Sequence, residues 1–191
     1  MSDGAELLAV VQAAIEAFRA LGIPYFITGS FASSVHGEFR ATNDLDVVAD
    51  LDGPRARRLV EALSTHFLTD GEQATAALAS GTNFNVIHRE TFLKVDVFPC
   101  RSAFDREATQ RAESITLPQT TVPLRVATKE DILLAKLRWY RLGDETSEVQ
   151  RRDVGRLVDL NRGEFDEAYL RRWAARLDVL DLLEEFLRQG S

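Results

Sequence analysis

Two aspartates, Asp44 and Asp46, stand one residue apart in an apolar stretch of the chain, residues 43–49. In a strand, side chains two positions apart lie on one face, so both carboxylates point the same way, while Leu45 and Val47 point to the other face. Neighbouring carboxylates repel each other unless a cation lies between them, and a divalent metal ion is the usual cation. The spacing therefore predicts a metal site on this strand.

A third aspartate, Asp96, lies much later in the chain, in the apolar stretch FLKVDVF. Burying an unpaired carboxylate is costly, so an acid between two valines needs a cationic partner. Three acids on neighbouring strands can hold two magnesium ions, one activating the attacking oxygen and the other stabilising the leaving phosphate oxygens. The alternative partner for Asp96 is a basic side chain, either Lys94 or an arginine.

Gly29 and Ser30 follow a short apolar stretch, residues 25–28, and open a segment, residues 31–36, that is predicted to be helical. Glycine lets the backbone approach a triphosphate closely, and the amino-terminal end of a helix adds backbone donors and a favourable dipole. The Ser30 hydroxyl can donate a hydrogen bond to a phosphate oxygen. This turn is therefore a candidate phosphate site.

These features together form a recognisable pattern. Gly29-Ser30, thirteen further residues and then Asp44-Leu45-Asp46, with a later acid on a strand, resemble the signature of the polymerase-β-type nucleotidyltransferase superfamily. Within it the chain resembles small bacterial members, the minimal nucleotidyltransferases and the relatives of the AbiEii-type toxins. The resemblance implies metal-dependent transfer of a nucleoside monophosphate from an NTP, such as ATP, to a hydroxyl, with release of pyrophosphate.

The resemblance also implies roles for the residues of the motif. Asp44 and Asp46 would ligate metal, and Asp96 would complete the site as a third ligand and the candidate base for the incoming hydroxyl. Gly29 and Ser30 would hold the β- and γ-phosphates. The metal would be a pair of Mg²⁺ ions, with Mn²⁺ as an alternative.

Three further residues are implied more loosely. Lys136, in a predicted helix of the carboxyl-terminal part, would neutralise phosphate charge, and its alternative role is that of an ordinary helix-surface lysine. Arg40 and Thr42, just before the acids, match a common Arg-x-Thr lead-in and either contact phosphate or brace the loop. Asp153 is predicted to pair with Arg152 and to fix the helices.

Strands and helices in the first two thirds of the chain must position these residues. Residues 5–21 have the apolar spacing of an amphipathic helix, and residues 54–67 form a second predicted helix. Residues 83–89 and 91–98 alternate between apolar and polar and predict a hairpin. Residues 69–80 lack a clear period and are predicted to be a loop or a weak helix.

The last third of the chain is predicted to be helical, after two short strands. Residues 114–117 and 122–126 are predicted to be short edge strands, because Pro118 and Pro123 cannot donate to a sheet ladder. Four amphipathic helices follow, starting at a cap-like Thr128. We therefore predict an α+β nucleotidyltransferase fold, a small mixed sheet flanked by helices, with a core at residues 1–126 and a helical region at residues 127–191 packed on it.

The composition limits the partners and the setting. Lys plus Arg is 23 and Asp plus Glu is 30, so the net charge is −7 and any contact with nucleic acid is confined to a local patch. A single cysteine, Cys100, fits the reducing cytoplasm. The amino terminus is acidic and amphipathic rather than a signal peptide, and no apolar stretch is long enough to cross a bilayer. We predict a cytoplasmic protein without a membrane partner.

Two functions are consistent with this sequence. The first is an enzyme that binds an NTP and transfers NMP to a tRNA, a protein or a small molecule such as an aminoglycoside, with tRNA and protein ranked first because toxin-like members of the group use them. The alternative is a non-catalytic module that binds nucleotide and regulates a partner in a toxin–antitoxin-type pair. The oligomeric state is open in both cases.

Overall fold

The strands of the computed structural model, which describes residues 3–37, 44–118 and 120–189, form one mixed sheet. They are β1 (Tyr25–Thr28), β2 (Asp44–Ala49), β3 (Phe67–Leu68), β4 (Phe84–His88), β5 (Lys94–Pro99), β6 (Glu113–Ile115) and β7 (Leu124–Val126). The helices are α1 (Asp3–Ala20), α2 (Gly29–Val35), α3 (Gly53–Leu63), α4 (Gly71–Ser80), α5 (Ala103–Arg111), α6 (Lys129–Leu142), α7 (Glu148–Leu160), α8 (Glu167–Arg176) and α9 (Leu180–Gln189). The α+β class predicted from the sequence is confirmed.

The strand order across the sheet is β3-β4-β5-β2-β1-β7-β6. The strand β2 lies at the centre, antiparallel to β1 and parallel to β5. Parallel neighbours need a crossover connection, which the chain between β2 and β5 supplies with α3 and α4. The two strands that carry the predicted metal ligands are therefore hydrogen-bonded neighbours.

A continuous cluster of buried apolar side chains runs from α1 to α9. The predicted stripe of α1 is fully buried at Val11, Ile15 and Phe18. The same cluster includes side chains from the helices after the sheet: Leu133, Leu137, Leu157, Trp173 and Phe186. Among the described residues, no helix has the length and apolar character needed to cross a bilayer. The domain boundary at residue 126 stays a prediction.

Several local expectations are confirmed. The strands β4 and β5 form the expected antiparallel hairpin, with Asn85 opposite Asp96. Helix α3 is capped by Asp52, which accepts a hydrogen bond from the Arg55 backbone nitrogen at 2.8 Å. Helix α6 begins as expected after Thr128, whose hydroxyl accepts from the Asp131 nitrogen.

The structure adds detail at three places. Residues 69–80, predicted to be a loop or a weak helix, contain the helix α4, which Asp70 caps by accepting hydrogen bonds from the Glu72 and Gln73 nitrogens. A two-residue strand, β3, was not predicted. The strand β7 is not an edge strand, since it lies between β1 and β6; Pro123 precedes the strand and so does not interrupt its ladder.

A buried polar network fixes the start of α6 against α5 and α8. Arg111 lies 3.3 Å from Glu130 Oε2 and 3.7 Å from Asp131 Oδ2, and its guanidinium stacks over the Tyr169 ring. Thr128 and the Tyr169 hydroxyl donate hydrogen bonds to Asp131, and burial raises the pKa of that carboxyl. Buried acids persist only when they are paired and hydrogen-bonded. The network therefore holds in place the helix that carries Lys136.

Candidate active site

The acids predicted to bind metal lie side by side on two adjacent strands. The strands β2 and β5 pair in register, with Asp46 opposite Asp96 and Asp44 opposite Lys94. Paired residues of adjacent strands point to the same face, and such strands lie about 4.8 Å apart. The fold therefore brings Asp96 next to Asp44 and Asp46, which lie much earlier in the chain.

The three carboxylates differ in their exposure. The side chain of Asp44 is 54% exposed and that of Asp96 only 10% exposed, whereas Asp46 is half-buried. Asn83 Nδ2 donates to Asp96 Oδ1 at 3.4 Å. Asn83 was not predicted, because its position next to Asp96 is visible only once β4 is known to pair with β5.

Burial and repulsion within the cluster shift the pKa of Asp46. Burial, followed by the charges of Asp96 and Asp44, raises the pKa of Asp46 to about 6, against the smaller opposing effects of Lys94 and Lys136. A carboxyl with a raised pKa at a strand centre indicates a site that favours a cation. Carboxylate oxygens are also the ligands that Mg²⁺ prefers.

The Gly29 backbone lies directly against Asp46. Thr28, the last residue of β1, pairs with Asp46, and Gly29 then turns the chain into α2 with a φ of +68°. A Cβ atom at position 29 would overlap Asp46 Oδ2 and lie 2.8 Å from its Cγ. Only glycine meets both demands, the left-handed conformation and the close approach to the acid.

Serine hydroxyls stabilise the turn by donating hydrogen bonds to its backbone carbonyls. Ser33 is buried and its hydroxyl donates to the Gly29 carbonyl at 3.0 Å, while the Ser34 hydroxyl donates to the Ser30 carbonyl at 3.0 Å. Ser30 itself is half-buried next to Gly29. His36 Nε2 lies 2.8 Å from the Ala127 carbonyl oxygen, which ties the end of α2 to the segment before α6. The sequence singled out Gly29 and Ser30 but not these supports.

A lysine occupies the space between two of the acids. Lys94 Nζ lies 2.7 Å from Asp96 Oδ2 and 3.7 Å from Asp44 Oδ1. The hydrogen bond to Asp96 and the nearby acids raise the pKa of Lys94. Across the described part of the chain, no three histidine, cysteine, aspartate or glutamate side chains converge closely enough to hold a metal ion. The basic partner considered for Asp96 is thus present, and its ammonium lies among carboxylate oxygens of the kind that divalent cations prefer as ligands.

Lys136, on α6, is near enough to the acids for its charge to act on Asp46. Its side chain is 18% exposed, and its charge lowers the pKa of Asp46. Its Nζ lies 3.6 Å from Asp153 Oδ2, an ion pair that was not predicted from the sequence. The pairing of Asp153 with Arg152 stays a prediction. Arg40 and Thr42, the other predicted phosphate contacts, lie outside the described residues.

The shifted pKa of Asp46 predicts a specific pH dependence. Its folded value of about 6 exceeds its ordinary value of 3.8, so the folded protein binds a proton that the unfolded chain releases between these pH values. The contribution of Asp46 to stability is therefore present at low pH and lost as pH rises through 6, by at most about 3 kcal/mol.

Urea unfolding in the presence of a chelator, at about pH 5 and pH 7.5, measures this effect. Asp46→Asn cannot titrate, so its free energy of unfolding should fall less over this range than that of the wild type. Equal changes in the two proteins would contradict the assignment.

The comparison with known proteins rests on structure. No protein-family model and no curated protein sequence matches the chain. The fold is similar to the solution structure of the antibiotic-resistance factor ANT(2″)-Ia, with a TM-score of 0.55 and 16% identity over 94% of this chain and 97% of that one. It is similar to the crystal structure of ANT(2″)-Ia in complex with adenylyl-2″-tobramycin, with a TM-score of 0.54 and 14% identity over 97% and 99% of the two chains.

A third structure extends the comparison to a fungal protein. It is an antigenic nucleotidyltransferase-like protein from Paracoccidioides brasiliensis, with a TM-score of 0.51 and 19% identity over 95% of this chain and 92% of that one. These likenesses cover nearly the whole chain, including both the sheet and the helices that follow it. The chain therefore has the nucleotidyltransferase fold.

Proposed function

We propose that this protein is a metal-dependent nucleotidyltransferase that moves NMP from an NTP to an acceptor hydroxyl. The observation that carries the proposal is the in-register pairing of Asp46 with Asp96, with the Gly29 turn lying against Asp46. The turn proposed to hold phosphate and the carboxylates proposed to hold metal therefore lie next to each other. The shared fold with nucleotidyltransferases supports the same reaction class.

In the proposed site, Asp44, Asp46 and Asp96 hold the metal. When bound, two Mg²⁺ ions, or Mn²⁺ in their place, would supply charge neutralisation and activation of the attacking oxygen. Asp96, the most buried of the three, accepts the proton of the acceptor hydroxyl. The hydroxyl oxygen bonds to the α-phosphorus while the bond from that phosphorus to the bridging oxygen breaks, and pyrophosphate leaves with the electron pair.

The phosphates are held on the other side of the acids. The Gly29 backbone and the Ser30 hydroxyl contact the β- and γ-phosphates, and the Lys136 ammonium neutralises phosphate charge from α6. In this arrangement residues 1–126 supply the metal site, and residues 127–191 supply the opposite wall of the cleft. Arg40 and Thr42 would complete the phosphate contacts or brace their loop.

The acceptor is the least constrained part of the proposal. The ANT(2″)-Ia structure with adenylyl-2″-tobramycin makes an aminoglycoside hydroxyl one acceptor to test. The resemblance of the motif to AbiEii-type toxins makes tRNA and protein the others, together with a role in a toxin–antitoxin pair. ATP is the first nucleotide to test, because that complex contains an adenylyl group, which is the NMP that ATP would supply.

The test uses each NTP labelled at the α-phosphate, with Mg²⁺ and three acceptors: tobramycin, total tRNA and cell-extract protein. We expect label to move to one acceptor class, and to stay on the NTP when Asp44→Ala replaces the wild type. Tight NTP binding without transfer to any acceptor, in Mg²⁺ or Mn²⁺, would instead favour the non-catalytic nucleotide-binding module.

Lys136 allows a separate prediction about nucleotide binding. We expect Lys136→Met to raise the KM for NTP about tenfold, with a smaller change in kcat, because an ammonium that holds phosphate in both ground and transition states acts mainly on binding. Steady-state kinetics over a range of Mg·NTP concentrations measure the change.

Two matched variants separate this role from a structural one. Lys129→Met removes a lysine of the same helix that pairs with Glu164 instead. Asp153→Asn breaks the same ion pair as Lys136→Met but leaves the ammonium in place. Both should keep a KM near that of the wild type; a rise in KM for Asp153→Asn equal to that of Lys136→Met would assign Lys136 a purely structural role.

A further inference from the structure

The position of Lys94 in the sheet places its ammonium inside the acidic cluster. Lys94 lies two residues before Asp96 on β5, so both side chains point to one face, and it is the ladder partner of Asp44 on β2. Its Nζ contacts Asp96 Oδ2 at 2.7 Å and approaches Asp44 Oδ1 at 3.7 Å. The fold itself thus sets a positive charge between two of the proposed metal ligands.

The contacts with the two acids are unequal. Asp96 is buried, so its pairing with the ammonium is shielded from solvent, whereas Asp44 is largely exposed at the strand end. The Lys94 side chain is 38% exposed and has a flexible four-carbon stem. Its ammonium can therefore leave the cluster without any movement of the backbone.

A metal ion and this ammonium compete for the same oxygen atoms. Mg²⁺ binds carboxylate oxygens at about 2.1 Å, so an ion on Asp96 Oδ2 would lie within a few ångströms of a lysine nitrogen that also contacts that oxygen. Two cations at that separation repel each other strongly outside bulk water. Occupation by the ion therefore requires the ammonium to withdraw.

We propose that Lys94 is a built-in counterion that a divalent cation must displace, and that it sets the affinity of the site for metal. The inference rests on the proposed metal dependence of the enzyme. Lys94 lies between the carboxylates of Asp96 and Asp44 and offsets their mutual repulsion before the cation arrives. It is a positioning residue for these acids. Its removal increases the affinity for metal and lowers the stability of the metal-free protein.

Binding of Mn²⁺ alone, followed by electron paramagnetic resonance of the free ion, tests this inference without any nucleotide or acceptor. We expect Lys94→Met and Lys94→Gln to bind Mn²⁺ about tenfold or more tightly than the wild type, since each removes a competing charge close to the ion. Lys94→Arg keeps the charge and should stay close to the wild type. Lys129→Met is the matched control at a lysine that pairs elsewhere.

Thermal unfolding provides the second measurement and shows whether each variant folds. In chelator, Lys94→Met and Lys94→Gln should melt below the wild type, because the repulsion between the acids is no longer offset by the Lys94 ammonium. Added Mn²⁺ should raise their melting temperatures by more than it raises that of the wild type. Unchanged or weaker Mn²⁺ affinity in both folded variants overturns the inference, as does the absence of Mn²⁺ binding in every protein.

The outcome is distinguishable from that of the proposed function. Tighter Mn²⁺ binding by Lys94→Met, with no NMP transfer by the wild type to any acceptor, would retain the counterion role and reject the enzyme. NMP transfer by the wild type, with equal Mn²⁺ affinity in all Lys94 variants, would retain the enzyme and reject the counterion role.

Discussion

Replacing Asp46 by asparagine is expected to lower the rate of NMP transfer at least a thousandfold, which corresponds to about 4 kcal/mol of lost transition-state stabilisation. Asp46 is the ladder partner of Asp96, lies two positions from Asp44 on β2 and packs directly against the Gly29 turn. It therefore joins the proposed metal ligands to the proposed phosphate turn. Asparagine has the same shape but lacks the charge. Phosphoryl-type transfer depends mainly on positioning and charge stabilisation, so the charge is what the reaction needs.

The same substitution should stabilise the metal-free protein. Repulsion from Asp96 and Asp44 and burial raise the pKa of Asp46, so a neutral amide relieves an unfavourable state at neutral pH. Single-turnover transfer and chelator-treated melting curves, measured on one preparation, give both values. If Asp46→Asn loses activity but melts at a higher temperature than the wild type, Asp46 serves function rather than stability. Activity within tenfold of the wild type would show that Asp46 is not part of the site.

Replacing Gly29 by alanine is expected to reduce transfer about a hundredfold, or roughly 3 kcal/mol, and to destabilise the fold. The new Cβ would overlap Asp46 Oδ2 and lie 3.1 Å from the Asp46 Cβ, so the carboxylate has to move. The left-handed backbone at φ +68° adds about 1–2 kcal/mol of strain for any residue with a Cβ. Transfer kinetics and urea unfolding measure the two effects.

Gly22→Ala is the matched control for this change. Gly22 also has a left-handed conformation, with a φ of +62°, but no atom lies within 4 Å of the Cβ that alanine would add. The two variants should therefore share the backbone strain and differ in the displacement of Asp46. Equal losses of activity in Gly22→Ala and Gly29→Ala would mean that strain alone accounts for the effect and that the turn is not coupled to the acid.

Much of the candidate site could be predicted from the sequence, because its main parts are local. Gly29 and Ser30, and the two acids at positions 44 and 46, are set by turn chemistry and the period of a strand. The place of Asp96 beside these acids was expected from the resemblance, which implies that a later acid on a strand completes the site. The hairpin that carries Asp96 follows from simple alternation.

The remainder depends on register and tertiary packing, which the sequence does not display. Lys94 was one of several basic partners considered for Asp96, and its approach to Asp44 follows only from the parallel register of β2 and β5. The position of Asn83 likewise depends on the pairing of β4 with β5. The ion pair of Asp153 with Lys136 depends in the same way on how two helices pack, because the two residues lie on α7 and α6.

The choice between nucleotidyl transfer and other phosphate chemistry is tested most directly by the position of the label. The wild-type protein is incubated with Mg²⁺, the accepted NTP and its acceptor, once with the label on the α-phosphate and once with the label on the γ-phosphate. The proposed mechanism predicts that α-label appears on the acceptor and γ-label in pyrophosphate, and that both transfers vanish in Asp46→Asn. Appearance of γ-label on the acceptor, or α-label transfer that survives in Asp46→Asn, would contradict it.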